Sequence, residues 1–183
     1  AMSGAHIESH AEHNKAIALL IAVLALVLAF SETLGKSAQT EALDANIQAS
    51  NLWSFFQAKT VRQTTLRTAA EQLEALAPGE AAKKQIEAWK QSADRYQSEP
   101  DTGEGRKELS ARAKIAEQRR DRAMTAYHHY ELASAAVQIG IVLASASIIT
   151  AMPVLAWIAG ALGALGAALC VVGFWFPAAL HVL

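Results

Sequence analysis

The last 52 residues of the chain, 132–183, contain no Asp, Glu, Lys or Arg, and this feature constrains the fold most. Charge is concentrated elsewhere, because residues 36–131 hold 15 of the 16 Lys and Arg residues and 14 of the 17 acidic residues. A soluble protein of this size cannot keep so long an uncharged apolar segment in water. The sequence therefore excludes a plain soluble enzyme and predicts an integral membrane protein with a polar helical domain.

Three apolar stretches are candidates for membrane spans, at residues 16–35, 132–152 and 153–176. The uncharged core of the first, 16–31, would extend about 24 Å as a helix, slightly less than the hydrocarbon core. A retained span is favoured over a cleaved signal peptide, because the stretch ends in Glu32 and Thr33 and lacks small-residue cleavage chemistry. Pro153 suits the first turn of a new helix, so the second and third spans are predicted to form an antiparallel hairpin.

Residues 36–131 are predicted to form a soluble helical hairpin or short bundle between the first and second spans. A long helix is expected to end at Ala77-Pro78-Gly79, a second helix to follow from about Ala81, and a third to begin near Arg106 and run without a break into the membrane. In that third helix a heptad seam begins at Leu109 and continues to Tyr130. Its alanines favour packing against sister subunits. The predicted fold class is therefore all-α, with a coiled-coil-like helical hairpin between the first and second spans. A polar, histidine-bearing tail, residues 1–15, precedes the first span, and a short tail, residues 177–183, follows the third.

Small residues recur at close-packing spacing in the second and third spans. In lipid, helices associate through close backbone approach at such residues, either within the hairpin or between subunits of an oligomer. The residues predicted to pack are Ala136, Gly140, Ala144, Gly160, Gly163 and Ala164.

Polar side chains are few in the spans and give two weaker hypotheses. Gln138 and Ser145 are candidate lining residues of a passive pore, whereas a proton-coupled transporter would need ionisable groups at membrane depth. In the amino-terminal tail a solvated segment is favoured over a metal or pH-sensing site formed by His6, His10 and His13.

No enzymatic or nucleic-acid-binding function is expected. Net charge is −1, and no phosphate loop, nucleophile elbow, HExxH motif or dinucleotide fingerprint is present. No cofactor is predicted, and the expected partners are membrane lipid and further copies of the chain. Five basic residues before the second span place the middle domain in the cytoplasm by the positive-inside rule: Arg112, Lys114, Arg119, Arg120 and Arg122.

The run Ile47-Gln-Ala-Ser-Asn-Leu-Trp-Ser-Phe-Phe-Gln-Ala-Lys59 is the most specific part of a family resemblance. With the preceding span, the polar helical region and the paired carboxyl-terminal spans, it resembles the bacterial membrane proteins grouped as domain of unknown function 4337. Many members have Tyr where Phe56 stands here. The resemblance covers nearly the whole chain and implies a bacterial inner-membrane protein with three spans, without an activity, a substrate or a catalytic residue. The sequence thus favours a homo-oligomeric scaffold or regulatory protein, with a pore as the alternative.

Overall fold

The computed structural model describes the backbone of residues 2–76 and 79–176, and side chains from Asn14 onward within those ranges. It contains four helices, α1 (Met2–Leu76), α2 (Glu80–Gln97), α3 (Arg106–Thr150) and α4 (Pro153–Trp175). No strand occurs in these ranges. The side chains of His6, His10 and His13 and the tail 177–183 lie outside the described residues.

Three helices of the described chain are long and apolar enough to cross a membrane: α1, α3 and α4. The predicted all-α class with three spans is confirmed, as is the unbroken 45-residue α3. The first span and the long helix after it are also one helix, since α1 has 75 residues. The sequence between them offers only Gly35 as a breaker, and a single glycine is tolerated within a helix. A Cβ on Gly35 would lie 3.4 Å from Tyr130 Cβ, so the residue sits at a close helix contact.

Left-handed backbone conformations and a side-chain hydrogen bond shape the loops between the helices. Gly103 adopts a left-handed φ of 66° in the loop between α2 and α3, a conformation that glycine enters without strain. Between α3 and α4, Ala151 has a φ of 53°, which terminates α3 in the left-handed conformation common at helix ends. The Ser147 hydroxyl donates to the Met152 carbonyl at 2.8 Å, and Pro153 then opens α4. This tight turn produces the predicted hairpin.

The chain divides into two compact units. The apolar unit comprises residues 1–42 and 121–183, and the polar unit comprises residues 43–120. In the apolar unit, α1, α3 and α4 pack around a core of buried apolar side chains: Ile17, Leu24, Val137, Ala144 and Ala159.

The core of the polar unit is built largely from alanine. Its buried members lie on α1 and α3, with Trp53 and Phe56 packed against them: Ala49, Leu52, Leu109, Ala113 and Ala116. The heptad seam that begins at Leu109 therefore packs against α1 of the same chain. Short alanine side chains let two backbones approach closely, so one chain supplies both halves of the contact without a sister subunit.

Candidate functional site

A polar pair faces outward on the apolar unit. The Gln138 side-chain amide lies 3.5 Å from Glu32 Oε1, and both residues are exposed. Glu32 is 16 residues after Ala16 in α1, which places it about 24 Å along the helix from Ala16. Gln138 is 12 residues before Thr150 in α3, which places it about 18 Å along the helix from Thr150. If a hydrocarbon core of about 30 Å begins at the hairpin end of these helices, both residues would fall within it. In a bilayer, a carboxylate and an amide would thus be presented together on the surface of the spans.

The second predicted pore residue lies on the same face of α3. Ser145 follows Gln138 by seven residues, or two helical turns. It is half-buried, and its hydroxyl donates to the Ile141 carbonyl of its own helix at 2.8 Å. The hydroxyl is therefore satisfied within α3, and among the described residues Glu32 and Gln138 are the exposed polar pair of this face.

A different hydroxyl pair joins α1 to α3 inside the apolar unit. Ser31 is fully buried, and its Oγ lies 2.8 Å from Ser134 Oγ while also donating to the Leu28 carbonyl. Such satisfied contacts between helices are the polar links that apolar surroundings tolerate.

Several residues predicted to pack are buried in the apolar unit. Leu24 of α1 inserts between Gly140 and Gly163, where an added Cβ would contact its side chain. Ala144 is also buried, Ala136 and Gly160 are half-buried, and Ala164 is exposed. A Cβ on Gly160 would meet no atom of the described residues within 4 Å. Gly140, Gly163 and Ala144 thus serve packing within the chain.

A buried ammonium lies at the centre of a polar cluster in the polar unit. Lys59 of α1 is only 7% exposed, and its Nζ lies 5.3 Å from the Phe55 ring centroid and 5.2 Å from that of Tyr96. Its Nζ also lies 3.9 Å from a Glu99 oxygen and 3.8 Å from a Glu104 oxygen. Two carboxylates and two aromatic rings surround the Lys59 amine, so Lys59 holds the α2–α3 loop against α1.

Gln63, one helical turn after Lys59, connects all three helices of the polar unit. It is 2% exposed, and its amide donates to the Ala93 carbonyl at 2.9 Å and to Gln97 Oε1 at 3.2 Å. Its own carbonyl oxygen accepts a hydrogen bond from Arg106, whose guanidinium lies 4.8 Å from the Phe56 ring centroid. A buried network of this kind fixes the position of each helix because every lost partner leaves a desolvated polar group.

Two carboxylates of the same cluster have lowered pKa values. Hydrogen bonds from Arg95 and Thr102 lower the pKa of Glu99, and a hydrogen bond from the Ser98 hydroxyl lowers the pKa of Glu108. The Ser98 hydroxyl is 2.6 Å from Glu108, whose second oxygen accepts the Glu99 backbone N–H at 3.2 Å. Both carboxylates bind residues of the loop between α2 and α3, which gives them a structural role in that loop.

The aromatic residues of the sequence run pack inside the polar unit. Trp53 Nε1 donates to Glu117 Oε1 at 2.8 Å, and the Trp53 ring meets that of Phe56 edge-on at 5.4 Å. Phe55 is exposed in part and faces Lys59. This arrangement gives Trp53 and Phe56 a role in helix packing.

His129 of α3 is buried in the apolar unit. Its Nδ1 lies 2.7 Å from the Thr125 carbonyl, and its Nε2 is enclosed without a hydrogen-bond partner in the described structure. A Cβ on Gly173 would lie 3.1 Å from His129 Cβ, so α4 covers this histidine. Among the residues that the structure describes, no group of three or more His, Cys, Asp or Glu side chains could hold a metal ion.

The family comparison covers both units. A family described as Domain of unknown function (DUF4337) matches residues 13–176. The chain belongs to this family. The predicted family resemblance is therefore confirmed. The run from Ile47 to Lys59, its most specific part, contains three residues that pack in the polar unit of this DUF4337 protein: Trp53, Phe56 and Lys59. No curated protein and no solved structure matches the chain.

Two features of these sites were not predicted from the sequence. The Glu32–Gln138 pair joins residues 106 positions apart, and the sequence assigned Glu32 only to the end of a span. The Lys59 cluster likewise needs the α2–α3 loop to fold back on α1. The available signal was a Lys within an uncharged stretch of α1, from Ile47 to Val61, which suggests a buried partner for that Lys.

Proposed function

We propose that this protein is a non-enzymatic, homo-oligomeric integral membrane protein that acts as a scaffold or regulatory assembly. The observation that carries the proposal is the outward-facing pair of Glu32 and Gln138 on the apolar unit. The absence of recognisable catalytic motifs from the sequence supports a role without chemistry.

In a bilayer, the pair of Glu32 and Gln138 needs a covering other than lipid. A carboxylate within the hydrocarbon region is expensive, and such residues almost always face a protein neighbour or a water-filled cavity. Among the described residues, the amide of Gln138 lies at 3.5 Å from the exposed Glu32 carboxylate as its hydrogen-bond contact. Neighbouring copies of the chain would remove both residues from lipid and supply further donors, so self-association is the simplest way to bury the pair.

The test is the subunit number of the purified protein in lipid nanodiscs, measured by mass photometry. We expect an oligomer for the natural chain and a shift towards the monomer for Glu32→Leu combined with Gln138→Leu. Thr33→Leu is the matched control, because Thr33 is the next residue, is exposed, and satisfies its hydroxyl through the Ala29 carbonyl. A monomer from the natural chain at high protein density would overturn the proposal.

A passive pore is the second candidate, and the shared face of Gln138 and Ser145 favours it. Around a symmetry axis, this face of α3 would line a central path, and Glu32 would add a ring of carboxylates that favours cations. Liposome flux of monovalent cations is the test. We expect flux that falls on Gln138→Leu and loses cation preference on Glu32→Gln; equal flux in protein-free liposomes would exclude the pore.

For location we propose the bacterial inner membrane, with the polar unit in the cytoplasm. The support is the cluster of basic residues from Arg112 to Arg122, next to the second span, against an uncharged hairpin tip. Cysteine labelling of intact cells tests this orientation. In a Cys170→Ser background, Lys84→Cys should react with a membrane-impermeant maleimide only after the cells are opened; labelling of intact cells would reverse the topology.

A further inference from the structure

One surface of α1 in the polar unit is free of charge although it is exposed. We define the α1 seam as Leu43, Ile47, Ser50, Ser54, Gln57 and Val61. All six are exposed, and Leu43, Ile47 and Val61 leave 59%, 59% and 66% of their surface accessible. The residues follow alternating steps of four and three, the spacing that keeps one face of a helix turned towards a partner helix.

The seam is distinct from the face of α1 that packs within the chain. That inner face buries Ala45, Ala49, Leu52 and Lys59, at steps of four, three and seven. A helix with two such faces can contact α3 of its own chain through one and a further helix through the other. Solvated helix faces usually carry charge, so the uncharged seam is better suited to contact with protein than with water.

We propose that the α1 seam is the contact at which two copies of this chain associate in parallel outside the membrane. This inference rests on the proposed homo-oligomeric function and names the surface that joins the copies. The parallel direction follows from membrane anchoring, because two copies that enter the same bilayer in the same orientation bring their α1 helices together side by side. A twofold axis between them then places each seam residue near its own counterpart.

Charge along the flanks is compatible with this homotypic contact. In a parallel two-helix seam, each flanking residue faces the one five positions further along the partner helix. Asn46 would face Asn51 of the partner subunit, and Thr60 would face Thr65 of the partner subunit. Asp44, the charged flank of the seam, would face Gln39 of the partner subunit. No pair of like charges arises, which a twofold contact on a charged face would produce.

The seam is weak by composition, since three of its residues are Ser or Gln. Polar residues at such positions lower stability but favour one register. Membrane anchoring offsets part of this weakness, because confinement to one bilayer raises the effective concentration of the two helices. The contact is therefore expected to form in the assembled membrane protein.

Disulfide cross-linking of the full-length protein in nanodiscs tests the proposal. In a Cys170→Ser background, single cysteines replace Ile47, Ser54 or Val61 on the seam. Matched controls replace Gln48, Phe55 or Arg62, each exposed and one position further along the same helix. Facing positions of a parallel seam satisfy the Cα separation that a disulfide needs, about 4.4–6.8 Å. We expect at least about fivefold more covalent dimer from the seam cysteines after mild oxidation than from their controls.

Mass photometry of the same unoxidised samples separates the two ways to fail. Oligomers whose seam and control cysteines cross-link equally would overturn the α1 seam and leave the homo-oligomeric function standing. Monomers throughout would overturn both. Dimer yield that peaks at 47, 54 and 61 and falls at 48, 55 and 62 would support the seam.

Discussion

The two units of this chain solve the same packing problem with different chemistry. In the apolar unit, glycines let Leu24 and Val137 approach neighbouring backbones, and the contacts are almost entirely apolar. In the polar unit, alanines bring α1 and α3 together, but Gln63 and Lys59 fix the positions of α2 and the α2–α3 loop through hydrogen bonds and charge. In the apolar unit, close packing sets most helix contacts and the Ser31–Ser134 pair adds a polar link. In the polar unit, a buried polar network adds specificity to a weak alanine core.

The largest expected effect is on the shape-dependent contacts of the apolar unit. A Cβ on Gly166 would clash with Val137 and lie 3.1 Å from the Ala133 carbonyl oxygen. Because backbone cannot rotate away as a side chain can, Gly166→Val should lower the free energy of unfolding by about 3 kcal/mol, the upper end of the over-packing range. Unfolding by sodium dodecyl sulfate in mixed micelles, followed by circular dichroism, measures the change.

Gly160→Val is the matched control for Gly166→Val. It makes the same change of residue in the same helix, at a position where a Cβ meets nothing within 4 Å. Equal destabilisation by the two substitutions would show that helix propensity, and not close approach of α4 to α3, sets the stability of this unit.

The next effect concerns the hydrogen-bond network of the polar unit. Gln63→Met keeps the side-chain volume but leaves the Ala93 carbonyl and Arg106 without their amide partner. Leaving buried polar groups unsatisfied should lower the free energy of unfolding by about 2 kcal/mol. Chemical denaturation followed by tryptophan fluorescence measures this, with Gln48→Met at an exposed position of the same helix as control. Indistinguishable variants would mean that α1 packing alone positions α2.

A smaller effect is expected from the single hydrogen bond between Trp53 and Glu117. Trp53→Phe retains an aromatic ring near Phe56 but removes the Nε1 donor, and should lower the free energy of unfolding by about 1 kcal/mol. Glu117→Gln retains an acceptor oxygen and should have a smaller effect. The same denaturation experiment compares the two; a larger loss from Glu117→Gln would assign the stabilisation to the charge of Glu117 and not to the hydrogen bond.

Helix type and order were predictable because they depend on local signals. Absence of charge marks the spans, α1 ends two residues before Pro78 in the sequence, and Pro153 begins α4. The steps of four and three from Leu109 identify the face of α3 that becomes buried. Spacing alone could not say whether that face pairs within or between chains. An alanine seam suits either partner, and the choice depends on how the α2–α3 loop returns the chain to α1.

The polar contacts were not predictable for a related reason. Glu32 and Gln138 are separated by 106 residues, and their pairing depends on the relative rotation of α1 and α3 about their axes. That rotation is set by contacts such as Leu24 between two glycines, which involve apolar side chains without a distinctive pattern. The positions of polar side chains on a helical wheel follow from sequence, but their neighbours on another helix follow only from packing.

The smallest expected effect is a dependence of stability on pH that arises from carboxylates of the polar unit. Hydrogen bonds lower the pKa of Glu99 and of Glu108 in the folded state, so each carboxylate stabilises the fold above the usual glutamate pKa of about 4.3. That stabilisation is lost as the pH falls through the lowered folded-state pKa, because the unfolded chain then binds more protons than the folded one.

Circular dichroism melts in a non-ionic detergent should therefore show a lower melting temperature at pH 4 than at pH 6. Glu108→Gln should melt earlier than the natural chain at pH 6 and lose less on acidification. Glu71→Gln, at an exposed position of α1, is the control and should keep the pH dependence of the natural chain. An unchanged pH dependence in Glu108→Gln would show that other groups cause the acid sensitivity, and that the loop between α2 and α3 does not depend on its carboxylates.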